Sequence, residues 1–279
     1  MSVDVEEYFQ VGAFESTIHK ENWSNLPSRV AYNTNIVLDL FAEKNVKSTF
    51  FTLGWVAERN PELIQRIVRE GHEIASHGYD HDRVHQLTRD SFLTDLERTK
   101  KILEDKSGQP IIGYRAPSFS IGKQNLWALD VLAELGYAYS SSVYPIAHDH
   151  YGWPEASRWA FRPITSSRMI EIPVTTVNML GKTRAAGGGG FFRLLPYALS
   201  RWCLSQVNDK EKQAGIFYFH PWEVDADQPY QSKAPIKSKL RHYTNLKVMR
   251  SKVSRVLDDF HWDRVDRVFL GAEDAAAVA

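Results

Sequence analysis

Short apolar runs alternate with helical patterns along most of the chain, and this alternation constrains the fold more than any other feature. Ser2 to Phe9, Ser48 to Leu53, Glu73 to Ser76 and Ile111 to Tyr114 read as strands, as do Tyr137 to Val143, Met169 to Val174 and Gly215 to His220. Between them, Val30 to Lys44, Pro61 to Glu70, Arg89 to Lys106 and Gln124 to Leu135 have helical spacing. Pro61 suits the first position of a helix, and Gly71, Gly108 and Gly136 fall where helices stop. Strands that alternate with helices imply a parallel sheet with helices outside it. About seven strands in 279 residues imply an α/β fold closed as a barrel, an incomplete one.

After Trp222 the pattern changes. Asp225 to Leu240 reads as a loop, and Thr244 to Phe260 carries a helical stripe of Leu246, Met249, Val253, Val256 and Leu257. The expected organisation is a catalytic domain over 1–224 and a C-terminal helical extension over 225–279 packed on the barrel, with Gly271 to Ala279 frayed. Formal net charge is +0, so no overall field favours nucleic acid or an anionic membrane. No run reaches the ~18 apolar residues of a membrane span. No signal peptide precedes the first strand, so the chain as given is expected to be cytoplasmic. A single cysteine, Cys203, excludes an internal disulfide framework and a cysteine-type zinc site; in a helix over Leu199 to Val207 it is expected to be a small buried apolar residue. Oligomeric state is left open.

Several residues can carry chemistry. In SVDVEEYF, Asp4 and Glu6 lie two apart, so on a strand they share a face. Two carboxylates there are either exposed on an edge or paired with a cation. In SHGYDHDRVH, His77 and His81 have i, i+4 spacing, which His85 continues; one helical turn would offer two nitrogens to one ion, or simply surface histidines. Arg115 follows an apolar strand and can orient a carboxylate through a forked pair of hydrogen bonds. His220 ends the most apolar strand, as a core residue or a proton-transfer group. Taken together, Asp4, Glu6, His77, Arg115 and His220 stand at or just past the C-terminal ends of separate strands, which in a barrel form one rim. One carboxylate with two histidines is an open coordination set for a catalytic divalent ion, and zinc is the first expectation.

The motifs SVDVEEYFQV, STFFTLGWVAE, SHGYDH, YRAPSFSIG, GGGGFFRLLPY and FYFHPWE appear in an order that resembles the NodB-type polysaccharide deacetylases (carbohydrate esterase family 4). More closely the chain resembles the subfamily found beside exosortase and exopolysaccharide loci. The resemblance implies a distorted, incomplete (β/α) barrel and a metal-dependent hydrolase that removes N-acetyl groups from an amino-sugar polymer. By position, Asp4 matches the general base, Glu6 the metal carboxylate, His77 and His81 the metal histidines, Arg115 the residue that orients the base, and His220 the general acid. Zinc is the expected cofactor, with cobalt or manganese as alternatives. A backbone N–H near Ser118 or Phe119 would stabilise the oxyanion.

The resemblance implies Asp as the metal carboxylate, often next to the base. Here the pattern is DxE with Glu7 adjacent, and strand parity selects Glu6. Ser140 stands where an Asp tuning the acid histidine is expected; the change either weakens proton transfer or is compensated by a carboxylate elsewhere, such as Glu171. Gly187 to Gly190 lack a P-loop lysine and are expected to form a lid or a groove wall. Tyr114, Phe119, Phe191 and Trp222 adjoin the rim motifs and are the expected sugar-stacking rings, with Pro117 and Ser118 as further substrate contacts. The expected partner is an amino-sugar polysaccharide. A non-catalytic glycan binder and a metal amidase acting on a non-sugar amide are the alternatives.

Overall fold

The computed structural model describes residues 1–147, 152–165 and 167–271. The frayed end expected at Gly271 to Ala279 therefore lies, past its first residue, outside the described residues. Seven parallel strands form one sheet: β1 (Ser2–Val5), β2 (Thr49–Thr52), β3 (Glu73–Ser76), β4 (Gly113–Tyr114), β5 (Tyr139–Ser140), β6 (Ile170–Glu171) and, after an antiparallel hairpin of β7 (Thr176–Met179) and β8 (Lys182–Ala185), β9 (Tyr218–Phe219). The strand order is β6-β5-β4-β3-β2-β1-β9. The helices are α1 (Val30–Glu43), α2 (Gly54–Arg59), α3 (Pro61–Arg69), α4 (Arg89–Ser107), α5 (Trp127–Glu134), α6 (Gly189–Leu194), α7 (Tyr197–Ser205), α8 (Ile236–Tyr243), α9 (Leu246–Asp259) and α10 (Val265–Phe269). This is the incomplete (β/α) barrel that the alternation implied, distorted as the resemblance implied.

Local chemistry explains the boundaries. Thr88 caps α4 by accepting from Ser91 N–H, and Gly108 ends it in the left-handed conformation at φ 67°. Pro61 opens α3. The strands are shorter than their apolar runs. Ser2 to Phe9 leaves the sheet after Val5, yet Tyr8 and Phe9 stay 1% exposed, so burial continues where the ladder has stopped. The β7–β8 hairpin escaped the sequence reading because its turn begins with Leu180 (φ 50°) before Gly181 (φ 71°), where Asn or Asp would give the usual signal. Part of the segment read as loop over Asp225 to Leu240 is α8, which starts after Pro235.

Among the described residues no ladder joins β6 to β9. The chain after β6 fills that seam: Gly187 N–H donates to Thr175 O at 3.0 Å, and Tyr218 N–H donates to Gly187 O at 2.8 Å. A Cβ on Gly187 would lie 2.2 Å from Ile216 O, so only glycine permits this approach. At the C-terminal end, Leu246, Met249, Val253, Val256 and Leu257 on α9 are all buried, as their spacing implied. They pack the helix against residues 221–224, α6 and α7. Cys203 is buried on α7. Among the described residues no helix is long and apolar enough to cross a membrane.

Candidate active site at the barrel rim

Because the sheet is parallel, the C-terminal ends of its strands share one edge. Asp4 lies in β1 and Glu6 just beyond it, His77 follows β3, Arg115 follows β4, and His220 follows β9. The structure brings these five and His81 together at one rim. Asp4, Glu6, His77, His81, Ser118 and His220 are among the residues that line a cleft of about 190 Å³. Arg115 is wholly buried behind it.

Strand parity separates the two glutamates. Glu6 turns into the cleft, where its Oε1 is 3.5 Å from His220 Nε2 and accepts from Trp222 Nε1–H at 3.3 Å. Glu7 turns away and takes hydrogen bonds from Ser28 Oγ and from Arg29 N–H, at 3.1 and 3.0 Å for the two carboxylate oxygens, at the start of α1. Glu6, His77 and His81 each offer a ligand atom, and these atoms lie within 4.8 Å of one another. His77 Nδ1 sits 2.8 Å from Arg115 O, which leaves Nε2 facing the cluster. Glu6 Oε2 is buried 2.9 Å from His81 Nε2 and yet has no well-aligned hydrogen bond. A carboxylate oxygen left so between two imidazoles is what a divalent cation would complete.

Electrostatics agree with that arrangement. Burial alone would raise Glu6, but His81 and His220 outweigh it and hold the carboxyl down at about 2. Burial lowers His77 to about 4, so its ring is neutral and free to coordinate. The histidine spacing does not come from a helix. His77 opens a loop in which Gly78 (φ 76°) and His81 (φ 66°) are left-handed, and the reversal brings both rings to one point. His85 sits exposed on a short 3₁₀ turn, outside the cluster.

Arg115 fixes Asp4. Its Nη1 donates to Asp4 Oδ1 at 2.5 Å and to Ser2 Oγ at 2.9 Å. Its Nε and Nη2 donate to Ser141 O and Oγ at 3.2 and 3.1 Å. All of this lies in a guanidinium with no solvent exposure, so removing either partner of the pair strands a buried charge, at a cost of ~3–5 kcal/mol.

His220 has a partner that the sequence reading missed. Its Nδ1 lies 2.9 Å from Glu223 Oε1, which also accepts its backbone N–H at 3.0 Å. Arg193 Nε donates to the other Glu223 oxygen at 2.6 Å. Burial opposes a charged ring at 220, but Glu6 and Glu223 outweigh it and lift the group to about 9. The expected compensation at Glu171 is not found. Glu171 Oε1 accepts from Ser142 and Val143 N–H, both at 2.8 Å, while Ser140 donates to Ser142 Oγ. Both residues tie down the turn after β5. The overlooked signal was HPWE itself, where Pro221 opens a short 3₁₀ turn and Glu223, its third residue, reaches back to His220 at the cap.

The expected substrate contacts divide. Tyr114 is 1% exposed and packs edge-on against Phe92 and Tyr137, so it belongs to the core. Pro117 is buried and opens a 3₁₀ turn without lining the cleft. Phe119 and Trp222 line the cleft but are 4% and 6% exposed. Trp222 stacks on His220 and His242 at centroid distances of 5.1 and 4.1 Å, which leaves no open face for a sugar. Ser118 borders both the cleft and an adjoining groove of about 870 Å³. Phe191, 39% exposed, is the accessible ring in that groove, and the glycine run contributes Gly190 to its wall. Ser118 (φ 54°) and Phe119 (φ 49°) are successive left-handed residues, a strained turn of the kind found at functional sites. Phe119 N–H is already committed to Ala116 O at 3.0 Å, which leaves Ser118 as the expected oxyanion donor.

Comparison with known proteins adds a family context. Residues 26–140 match the family model described as polysaccharide deacetylase, and residues 141–270 match a domain of unknown function, DUF3473. The border falls between β5 and β6, so both regions build one sheet. A peptidoglycan-N-acetylglucosamine deacetylase of Bacillus cereus is 35% identical over 95 residues, 34% of this chain and 34% of that protein. Chitin deacetylase 1 of Cryptococcus neoformans is 32% identical over 84 residues, 30% of this chain and 18% of that protein. The chain thus spans about a third or less of these relatives. A crystal structure of a candidate polysaccharide deacetylase from Mycobacterium smegmatis has the same fold, at a TM-score of 0.62 and 21% identity, covering 100% of this chain and 88% of that one.

Proposed function

We propose, from the match of residues 26–140 to the polysaccharide deacetylase family, that this chain is a metal-dependent hydrolase that removes N-acetyl groups from an amino-sugar polysaccharide. The observation that carries this reading is the juxtaposition at one rim of the Glu6–His77–His81 cluster, the Asp4–Arg115 pair and His220. A divalent ion held by Glu6, His77 and His81, zinc first with cobalt or manganese as alternatives, would supply Lewis-acid polarisation of the acetamide carbonyl and of water.

The protein's own groups account for the proton transfers. Asp4, held by Arg115, accepts the proton of the attacking water. Ser118, which lines the cleft, would offer its N–H to the oxygen on which charge develops. His220, across the cleft, gives a proton to the amine nitrogen as the C–N bond breaks, releasing acetate and a free amino sugar. The adjoining groove gives a polymer chain room beyond the reacting sugar, with Phe191 as a stacking surface.

The test is acetate release from chitin-type and poly-N-acetylglucosamine oligomers with zinc, cobalt or manganese added. Asp4→Asn and His77→Ala should each reduce release by roughly 10²–10⁴. Unchanged release in either variant, or faster turnover of small non-sugar amides than of the oligomers, would overturn the assignment.

A further inference from the structure

The region 141–270, whose family has no known function, contains a buried assembly centred on His220. Arg193 is 3% exposed and Glu223 1%. Arg193 is held by three backbone carbonyls where α8 ends and α9 begins: Nη2 donates to Arg241 O at 3.0 Å, and Nη1 donates to His242 O at 3.0 Å and to Thr244 O at 2.6 Å. Its Nε holds Glu223 Oε2, and Glu223 Oε1 takes both N–H groups of His220. Gly189 makes room for this: a Cβ there would lie 2.2 Å from Glu223 Oε1. Arg193 and Glu223 lie outside the cleft lining and cannot touch substrate directly.

We infer that Glu223, clamped by Arg193 and admitted by Gly189, is the positioning carboxylate for His220, and that this region contributes the acid histidine together with the group that orients it. The inference rests on the deacetylase reading given above. A carboxylate on Nδ1 keeps a proton on that nitrogen and turns Nε2 toward the cleft, where the leaving amine departs. It fills, from three residues along the same turn, the place that Ser140 leaves without a carboxylate.

Two substrates with different leaving groups separate positioning from mere structure. An N-acetylglucosamine oligomer needs a proton on its departing amine, whereas 4-nitrophenyl acetate expels a stable phenolate. Glu223→Gln keeps the shape of the side chain, and it should lower kcat on the oligomer by ~10²-fold or more with KM little changed. Its kcat on the aryl ester should fall far less. Gly189→Ala, which displaces the same carboxylate, should change the ratio of the two rates in the same direction. Equal losses on both substrates, or no loss on the oligomer, would overturn the inference. Ring ¹⁵N spectra of His220 test it independently of turnover, because the Nδ1–H signal should shift in Glu223→Gln. If the wild type releases no acetate from oligomers yet that shift is seen, the substrate reading fails and the pairing stands; an unmoved signal overturns the pairing.

Discussion

Two adjacent glutamates do different work because, just past β1, they turn in opposite directions. Glu6 enters the cleft among three histidines, and Glu7 enters the start of α1. Glu6→Gln should abolish stoichiometric zinc uptake, read by metal analysis after dialysis, and acetate release should fall with it. Glu7→Gln should keep the metal and weaken the start of α1, costing ~0.5–2 kcal/mol in denaturant unfolding. If Glu7→Gln loses the metal and Glu6→Gln keeps it, the parity argument is wrong. Asp4 and Arg115 are coupled by burial in the same way. Arg115→Lys keeps a charge but loses the fork that spans Asp4, Ser2 and Ser141, and it should lower kcat well beyond any change in KM.

Among the elements, the glycine run shows how neighbouring positions of one kind carry unlike constraints. Gly187 closes the seam between the segment after β6 and β9, with carbonyl oxygen 2.2 Å from where a Cβ would stand. Gly190 has nothing within 4 Å of that point and lies in α6. Gly187→Ala should therefore lower stability by ~1–3 kcal/mol, because backbone must move. Gly190→Ala should be neutral or stabilising by up to ~1 kcal/mol, as alanine favours the helix. Urea midpoints of the two variants measured side by side decide this, and a more stable Gly187→Ala protein would contradict the seam. The loop from His77 to His81 belongs to this scale too: its left-handed turns, not a helical repeat, bring two ligands together.

Across the whole molecule, α9 supports the site from behind. Met249 on α9 is fully buried, and the helix packs on the 221–224 turn that carries Glu223. Met249→Ala should cost ~2–5 kcal/mol. Acetate release should decline at lower urea than in the wild type, together with the loss of helical signal. A second global effect is pH dependence. Burial lifts the Asp95 carboxyl to about 7, above its unfolded value, so the folded chain holds that proton more tightly. The contribution of Asp95 to stability is complete below the unfolded value and is lost as pH rises through about 7. Asp95→Asn removes the titration and still offers an oxygen to Tyr79 N–H. Its melting temperature should gain on the wild type between about pH 5 and about pH 8. A difference that stays flat over that range would refute the shift.

What the sequence determined by itself was the alternation, and with it the parallel sheet, the rim and the strand-end placement of Asp4, Glu6, His77, Arg115 and His220. Periodicity and strand parity are local properties, readable along the chain, and parity alone separated Glu6 from Glu7. The stripe of α9 was legible for the same reason. Only the tertiary structure decided the rest. Tyr114 and Trp222 adjoin the rim in sequence, but packing covers one with Phe92 and Tyr137 and the other with two imidazoles. The partner of His220 lay three residues away, but its role depends on Arg193 and on carbonyls from α8 and the start of α9. Those contacts join distant segments, and what brings them together is burial in three dimensions, which no local pattern records.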